Sequence, residues 1–443
     1  MRKRTRRILF ISMVAILTLL TPWLILRSQG IRFDFQQKKF VKTGGIFVSV
    51  LNPKVEIYLD GKFKKTTNFI SNSIFIKNLL PRCYKIELKK PGYFSWQKKL
   101  EVKEGLVTEA KDIILFKKNQ RFEVLDKNIE DFLASEESYE FLVKKNKENV
   151  QQYLLINRLN GQKKMIFQTS SETEILDWDP INQQILLEKE NKKGKKFFLI
   201  DYSNSQNSQV VDFSLPSEVK KITLHPLARK VVLFLRDNKI FKKDLTSKNL
   251  EENIFLTDVI WFKSKRNNLY WLNSSGFLIK SNWDLKKKEV LNDIPLSLKK
   301  ERGFSLGILK GAIFLRNEQK LFRLNSQKEF EEIFDSLDGF TISPDLMKLA
   351  FWGKGEIWIF DEGKKFLTRF SQNPKNLFWI NNHYLIFSSG EEIKIIETDI
   401  RNDLNIFTLK QAKNPTIFYS RINKKLYLLS DSTLLFSSEK LVP

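Results

Sequence analysis

The sequence predicts a mainly β protein, with an N-terminal transmembrane helix, then a small β-sandwich, then a β-propeller of eight blades. Three observations predict this order. A strongly basic start runs directly into an uncharged apolar stretch. Short strand-like segments then crowd the next ~70 residues, and a unit of about 40 residues recurs along the remainder of the chain. The composition is that of a folded chain: 42% of the 443 residues are hydrophobic, with 37 Phe and 9 Trp, too much apolar material for a solvated, disordered polymer. At this length, two or three folded units are expected.

The helix comes first. "MRKRTRR" places five cationic side chains before "ILFISMVAILTLLTPWLIL", Ile8 to Leu26. As a helix that run spans roughly 28 Å, close to the hydrocarbon thickness of a bilayer. A cleaved signal peptide shares the basic start, but its apolar middle is usually shorter and closes on small residues. Here "RSQGIRFDF" follows, so an uncleaved anchor through Ile8 to Leu26 is the expectation. The bias of cationic residues toward the cytoplasm then puts residues 1–7 inside and the bulk of the chain outside. Residues 1–30 are thus tail and helix, and 31–43, containing "FQQKKFVKT", read as a polar linker.

The sandwich is expected over 44–117. "GIFVSVL", "VEIYLD", "SIFIKNL", "CYKIELKK", "SWQKKLEV" and "TEAKDIILF" are strand-like, and Asp60-Gly61 supplies a hairpin turn before "KFKKT". The segment resembles the PEGA domain. Pro53, Tyr58, Leu59, Asp60, Gly61, Lys62, Leu80, Pro81, Tyr84, Gly92, Tyr93 and Trp96 fit that family's pattern in order and spacing. Two places depart from it: a shortened Lys54-Val55 replaces the Gly-Ala pair, and Cys83 stands where glycine is usual. The first departure puts the entry turn in question. The resemblance implies an extracytoplasmic domain for attachment or interaction, with no catalytic residues.

From 118 to 443 each unit offers an apolar strand, a polar turn, a strongly apolar strand, a second turn, a third strand and a weaker fourth. "EILDWD", "QILLEK" and "KFFLIDY" form one such set, and "GFTISP", "KLAFWG" and "EIWIFD" another. Eight units can be written; seven is the alternative if residues 302–335 are irregular. Second strands such as "KLAFW" are apolar on both alternating sets, so both of their faces must be covered, as between stacked blades. "QRFEVLD" at 120–126 precedes the first unit, and the last lacks a fourth strand. Pairing the two would complete the ring and remove its open edges. "ISPDLMKLAF" is similar to the corner of TolB-like and WD-repeat propellers, with "DWDPINQQILL" and "LHPLARKVVLF" as looser copies. That likeness speaks for fold, not function.

Ser343 and Asp345 flank Pro344 in a corner, where proline fixes φ and the polar side chains bond local backbone. Asp177 and Asp179 bracket Trp178 at the equivalent corner, and His225 occupies the next one. All are expected to form turns. With His225 and His383 the only histidines and Cys83 the only cysteine, neither a zinc centre nor an intrachain disulfide is expected. The acidic runs "SEESYE" and "EFEEIFDS" lack calcium-loop spacing. No catalytic, cofactor-binding or metal-ligating residue is expected, and no cofactor.

The net charge of +25 comes from 76 Lys+Arg against 51 Asp+Glu, spread in short runs such as "KKNK", "ENKKGKK" and "LKKKE". No single face or helix gathers them, so nucleic acid is not the expected partner. The functional expectation is a membrane-anchored, extracytoplasmic binding or scaffolding protein, not an enzyme. Its propeller would recognise a protein or a cell-envelope polymer such as a polysaccharide. The alternative is an extracytoplasmic hydrolase or carbohydrate-active enzyme with its site at the channel mouth. A channel lined by lysines and apolar groups without clustered acids would remove that alternative.

Overall fold

A computed structural model describes residues 3–443 apart from 69–70, 192–193, 205–206, 217, 247–251, 266, 298–302, 364–365 and 403. Lys192 and Lys193 of the "ENKKGKK" run, and residue 302 at the start of the 302–335 unit, therefore lie outside the described residues. The chain divides into two compact units. One comprises residues up to 120 together with 395–409 and 441–443; the other holds 121–394 and 410–440.

The first unit opens on a helix, Lys3–Ser28, long and apolar enough to cross a membrane. None of its apolar span is covered by protein. Pro22 lies inside the helix, and the Arg27 guanidinium sits 5.0 Å from the centre of the Trp23 ring, an amphipathic pairing suited to a bilayer interface. The stretch read as a linker is not extended chain: Ile31–Asp34 and Lys39–Lys42 pair as an antiparallel hairpin. Its turn is organised by Asp34, whose Oδ1 accepts the backbone N–H groups of Gln36 and Gln37. Strands of four residues, half of them polar, give too little alternation to be read from sequence.

The sandwich has two sheets. Gly44–Val50 pairs with Ser73–Leu79 on one side and, in parallel, with Val107–Ile113 on the other. The second sheet runs Lys62–Thr66, Glu56–Leu59, Cys83–Lys89, Trp96–Glu101. Val48, Val50, Ile57, Ile86, Leu88 and Trp96 meet in the shared core. The Asp60-Gly61 turn has both residues at positive φ, 47° and 74°, as a two-residue hairpin of matched twist requires. Asp60 Oδ1 also accepts the Lys85 N–H, which fixes the hairpin against the next strand. At the altered entry turn Lys54 itself adopts φ 58°, a left-handed conformation that costs a side chain little only when backbone bonds hold it. The Lys54 N–H donates to the Thr67 carbonyl, and the Val55 N–H to Thr67 Oγ1.

The second unit is a β-propeller. The described residues include eight four-stranded sheets of this kind, seven of them meanders with strands paired in sequence order. Their first strands are Ile129–Ala134, Glu174–Asp179, Lys221–Leu224, Trp261–Ser264, Phe304–Ile308, Gly339–Ile342, Leu377–Trp379 and Thr416–Ser420. The segment 302–335, whose irregularity would have reduced the count to seven, carries a four-stranded sheet from Phe304 to Phe334. The last sheet gains its fourth strand from Phe122–Lys127, which pairs antiparallel with Thr433–Ser437.

Burial explains the doubly apolar second strands. Leu187 faces Leu142 and Tyr153 of the sheet before it, while its neighbour Leu186 faces Leu224 and Val232 of the sheet after it. The same arrangement joins the third sheet to the fourth through Leu235 and Trp271, the fourth to the fifth through Leu272 and Leu315, and the fifth to the sixth through Phe314 and Phe351. Trp379 Nε1 donates to the Thr341 carbonyl between the sixth and seventh, and Phe378 packs on Phe418 between the seventh and eighth. Phe141 of the first sheet stacks edge-on against Tyr427 of the eighth at 4.5 Å, closing the circuit.

Candidate recognition sites of the propeller

The corners between first and second strands gather at one end of the sheets, and their residues behave as turn formers. Ser343 Oγ donates to Asp345 Oδ1 at 2.6 Å and accepts the Lys348 N–H, while Asp345 Oδ1 also accepts the Met347 N–H. Asp179 Oδ1 receives the N–H groups of Ile181 and Asn182. Asp177 does something the sequence did not indicate. Besides accepting the Trp178 N–H, its other oxygen takes the Thr223 hydroxyl and the Leu224 N–H, tying the inner strand of the second sheet to that of the third.

His225 is buried, with Nδ1 accepting the Leu227 N–H and its ring 4.6 Å from that of Trp283. Burial, helped by the positive charge of Lys242, pushes its pKa down to about 4. The unfolded chain therefore binds the proton more readily, so the stability this neutral ring supports is complete above about pH 6.5 and is lost as pH falls toward 4. Going from pH 7.5 to 5 should cost the propeller about 2 kcal/mol through this residue alone. His225→Asn, which keeps an acceptor for Leu227, should remove that part of the pH dependence in urea unfolding curves. His383 donates its backbone N–H to Asn381 Oδ1 in the corresponding corner of the seventh sheet. Cys83 is exposed at the start of a strand in the sandwich.

A cavity of about 550 Å³ opens at the corner end of the first four sheets, lined by Ser135, Glu137, Trp178, Leu224, Lys265 and Asn268 among others. The inner strands of the third and fourth sheets each carry a lysine turned toward the following sheet. Lys221 Nζ donates to the Phe262 carbonyl at 2.6 Å, and Lys263 Nζ to the Leu306 carbonyl at 2.9 Å. Each lysine thus bonds the next sheet's backbone. Burial, with Lys265 and Lys221 nearby, brings Lys263 down to about 8.

The charged side chains that line the corner-end cavity are Glu137, Asp177, Asp179 and Lys265, and at the other end of the Glu174–Asp179 strand the lining is more acidic still. A cavity of about 580 Å³ between the first two sheets is lined by Glu130, Asp131, Glu172, Glu174, Glu188 and Glu190, together with Leu133, Thr173, Ile175 and Lys144. Lys144 pairs with Glu130 at 3.1 Å and Lys195 with Glu188 at 2.6 Å. Thr173 is buried and held by Gln151 and Tyr153, so the loop that carries Glu172 is fixed. Sequence reading picked out other acidic runs and missed this one, because its carboxylates come from segments about 40 residues apart. A signal was present: "EDFLAS" and "EILDWD", the inner strands of successive units, both open on acids.

No protein-family model matches the chain, and no curated protein matches it significantly in sequence. Solved structures similar to it include Sqt1 of Saccharomyces cerevisiae, at 11% identity and a TM-score of 0.45, covering 72% of this chain and 97% of that one. Sqt1 of Chaetomium thermophilum, bound to the N-terminus of the ribosomal protein L10, aligns at 9% identity and a TM-score of 0.42, covering 70% and 99%. BamB of Moraxella catarrhalis aligns at 10% identity and a TM-score of 0.40, covering 72% and 96%.

Proposed function

We propose that this is a membrane-anchored, extracytoplasmic binding protein. In this reading Ile8 to Leu26 span the bilayer, residues 44–117 form a PEGA-like spacer or attachment module, and 118–443 form a ring of eight blades that serves as a rigid recognition platform. The observation that carries it is the acidic cavity. Six carboxylates converge on one cavity of a chain whose net charge is +25, so the local field there runs against that of the molecule. Such a cavity favours a cationic protein segment over an anionic envelope polymer, and it can set the orientation of the partner as well as its affinity.

The full-length protein in detergent should bind a Lys/Arg-rich peptide, and the double reversal Glu172→Lys with Glu174→Lys should weaken that binding by about tenfold, as loss of charge complementarity predicts. Fluorescence anisotropy at two salt concentrations checks this; equal affinities for both proteins would remove the reading. Clustered acids also keep a second reading open, a glycan hydrolase working from the same cavity, since two carboxylates flanking a glycosidic bond suffice for that chemistry. Release of reducing ends from an envelope polysaccharide, lost in Glu174→Gln, would favour it.

A further inference from the structure

The hairpin that follows the helix carries three phenylalanines that the fold leaves in water. Phe33 lies 5.2 Å from Phe35 and 5.2 Å from Phe40, each pair edge-on, so the rings form one cluster. Phe35 is 84% exposed and Phe40 62%, although Val41 and Asp34 on the opposite face of the hairpin are buried. A hairpin this short has no need of rings on its outer face for its own core, and exposed aromatic clusters mark contact surfaces.

What lies against the cluster follows from where the chain has come from. The helix closes at Ser28, the Gly30 N–H bonds back to the Arg27 carbonyl, and Gly30 turns the chain at φ 76°. Thr43, at the far end of the hairpin, gives both its N–H and its hydroxyl to the Gly30 carbonyl at 2.7 Å. The hairpin is therefore tied at both ends to the last turn of the helix. Leu26 and Ile31 are five residues apart, at most about 18 Å of chain, and an interfacial layer is roughly 5–8 Å deep on each side of the hydrocarbon. By the strand register Lys42 shares the ring face, whereas Arg32 and Lys39 stand on the other; with Arg27 and Lys38 they make the segment from 27 to 43 cationic, with Asp34 its lone acid. Asp34 is buried and occupied with the turn.

We propose that the Ile31–Lys42 hairpin is a second membrane contact, which sets Phe33, Phe35 and Phe40 into the interfacial region of the leaflet next to the helix end and its cations against anionic lipid headgroups. The inference rests on the reading of Ile8 to Leu26 as a span. Aromatic rings and lysines have complementary tasks there: rings fill the boundary between headgroup and acyl chain, and cations are drawn to an anionic surface. One transmembrane helix leaves a protein free to tilt and spin. A hairpin seated beside it gives the small β-domain a defined footing.

The test uses the full-length chain in vesicles of phosphatidylcholine with phosphatidylglycerol. Cys83→Ser removes the single thiol, and an environment-sensitive fluorophore is placed at Gln36→Cys, at the hairpin tip, or at Ile16→Cys, in mid-helix. Lipids carrying a quencher near the headgroup should quench the label at 36, and Phe35→Ser, which leaves the hairpin pairing untouched, should lower that quenching by about threefold. The label at 16 should stay quenched by deep-placed quenchers in both proteins. A label at 36 that is unquenched while 16 is quenched overturns the proposal and leaves the span reading intact. Loss of quenching at both positions overturns the span and, with it, the proposal. Quenching at 36 that is indifferent to Phe35→Ser also overturns it, since the rings would then not hold the hairpin down.

Discussion

Arg158→Ala should destabilise the propeller by about 3 kcal/mol, most of it felt where the first and eighth sheets meet. The guanidinium is nearly buried there, over the rings of Phe141 and Phe418 at 5.0 and 5.4 Å. Nη1 donates to Ser420 Oγ at 3.0 Å, and Nη2 to the carbonyls of Ser135 and Ser138. Alanine would leave those acceptors dry and open a gap between two ring-bearing faces, adding lost hydrogen bonds to lost packing. Burial holds the Arg158 pKa below its ordinary value, and Nε finds no partner among the described residues, so the site is already costly to fill and the net loss is modest for so many contacts. Arg158→Lys keeps a charge but cannot fork, and should recover less than half of the loss. Guanidinium unfolding of the three proteins, with the slope monitored for loss of two-state behaviour, gives the answer.

Glu397→Ala should cost about 3 kcal/mol, because it takes the nearer of two carboxylates from a buried cation. In the first unit Lys98 is fully buried, with Nζ 3.3 Å from Glu397 Oε2 and 3.9 Å from Asp399 Oδ1, and it also donates to the Asp399 carbonyl. The Glu397 carboxylate further accepts Trp96 Nε1–H, 3.1 Å from each oxygen, and Asn405 Nδ2–H at 2.8 Å. Burial, only partly opposed by Lys98, raises the Glu397 pKa, so the pair stands in a poorly solvated place. Removing the acid alone takes the acceptor from Trp96 Nε1 and the nearest carboxylate from Lys98, while Lys98 keeps the Asp399 carbonyl and Asn405 Nδ2 keeps the Gln97 carbonyl. Replacing both ends, Lys98→Met with Glu397→Leu, should recover most of the loss, since a buried pair is seldom worth more than good packing. A double-mutant cycle in urea measures the coupling; a coupling energy under about 0.5 kcal/mol would mean that water reaches the site.

Architecture was legible in the sequence where local pattern and burial say the same thing. Leu186 and Leu187 are adjacent and both apolar, which only a strand covered on two faces allows, and the structure gives each its own neighbouring sheet. Ser343 and Asp345 were readable as a corner because their bonding is local. The closing strand was legible for a topological reason: a sheet that lacks one strand and a strand that lacks a sheet imply each other. Features made by distant segments were not legible. Glu130, Glu172 and Glu188 share a cavity only once two sheets stack. Lys98 sits in "SWQKKLEV" among lysines that look solvated, and only the inward alternation of Trp96, Lys98 and Leu100 hints that it is buried. The 31–42 hairpin escaped because its cations mask a three-ring cluster.

The pairing of Phe122–Lys127 with Thr433–Ser437 has a consequence for how the molecule is made. Lys127 and Thr433 sit opposite each other in one sheet although roughly 300 residues separate them, and a loop of that length costs about 5 kcal/mol of chain entropy to close. During synthesis the early strand must therefore wait, unpaired, until Thr433–Ser437 has been made. The intermediate sheets can form in order behind it, each covering the one before, but the first sheet and the newest keep an uncovered apolar face until the last of the eight sheets is made. Closure of the ring is thus delayed, and the nascent sheets are open to mispairing until Thr433–Ser437 emerges.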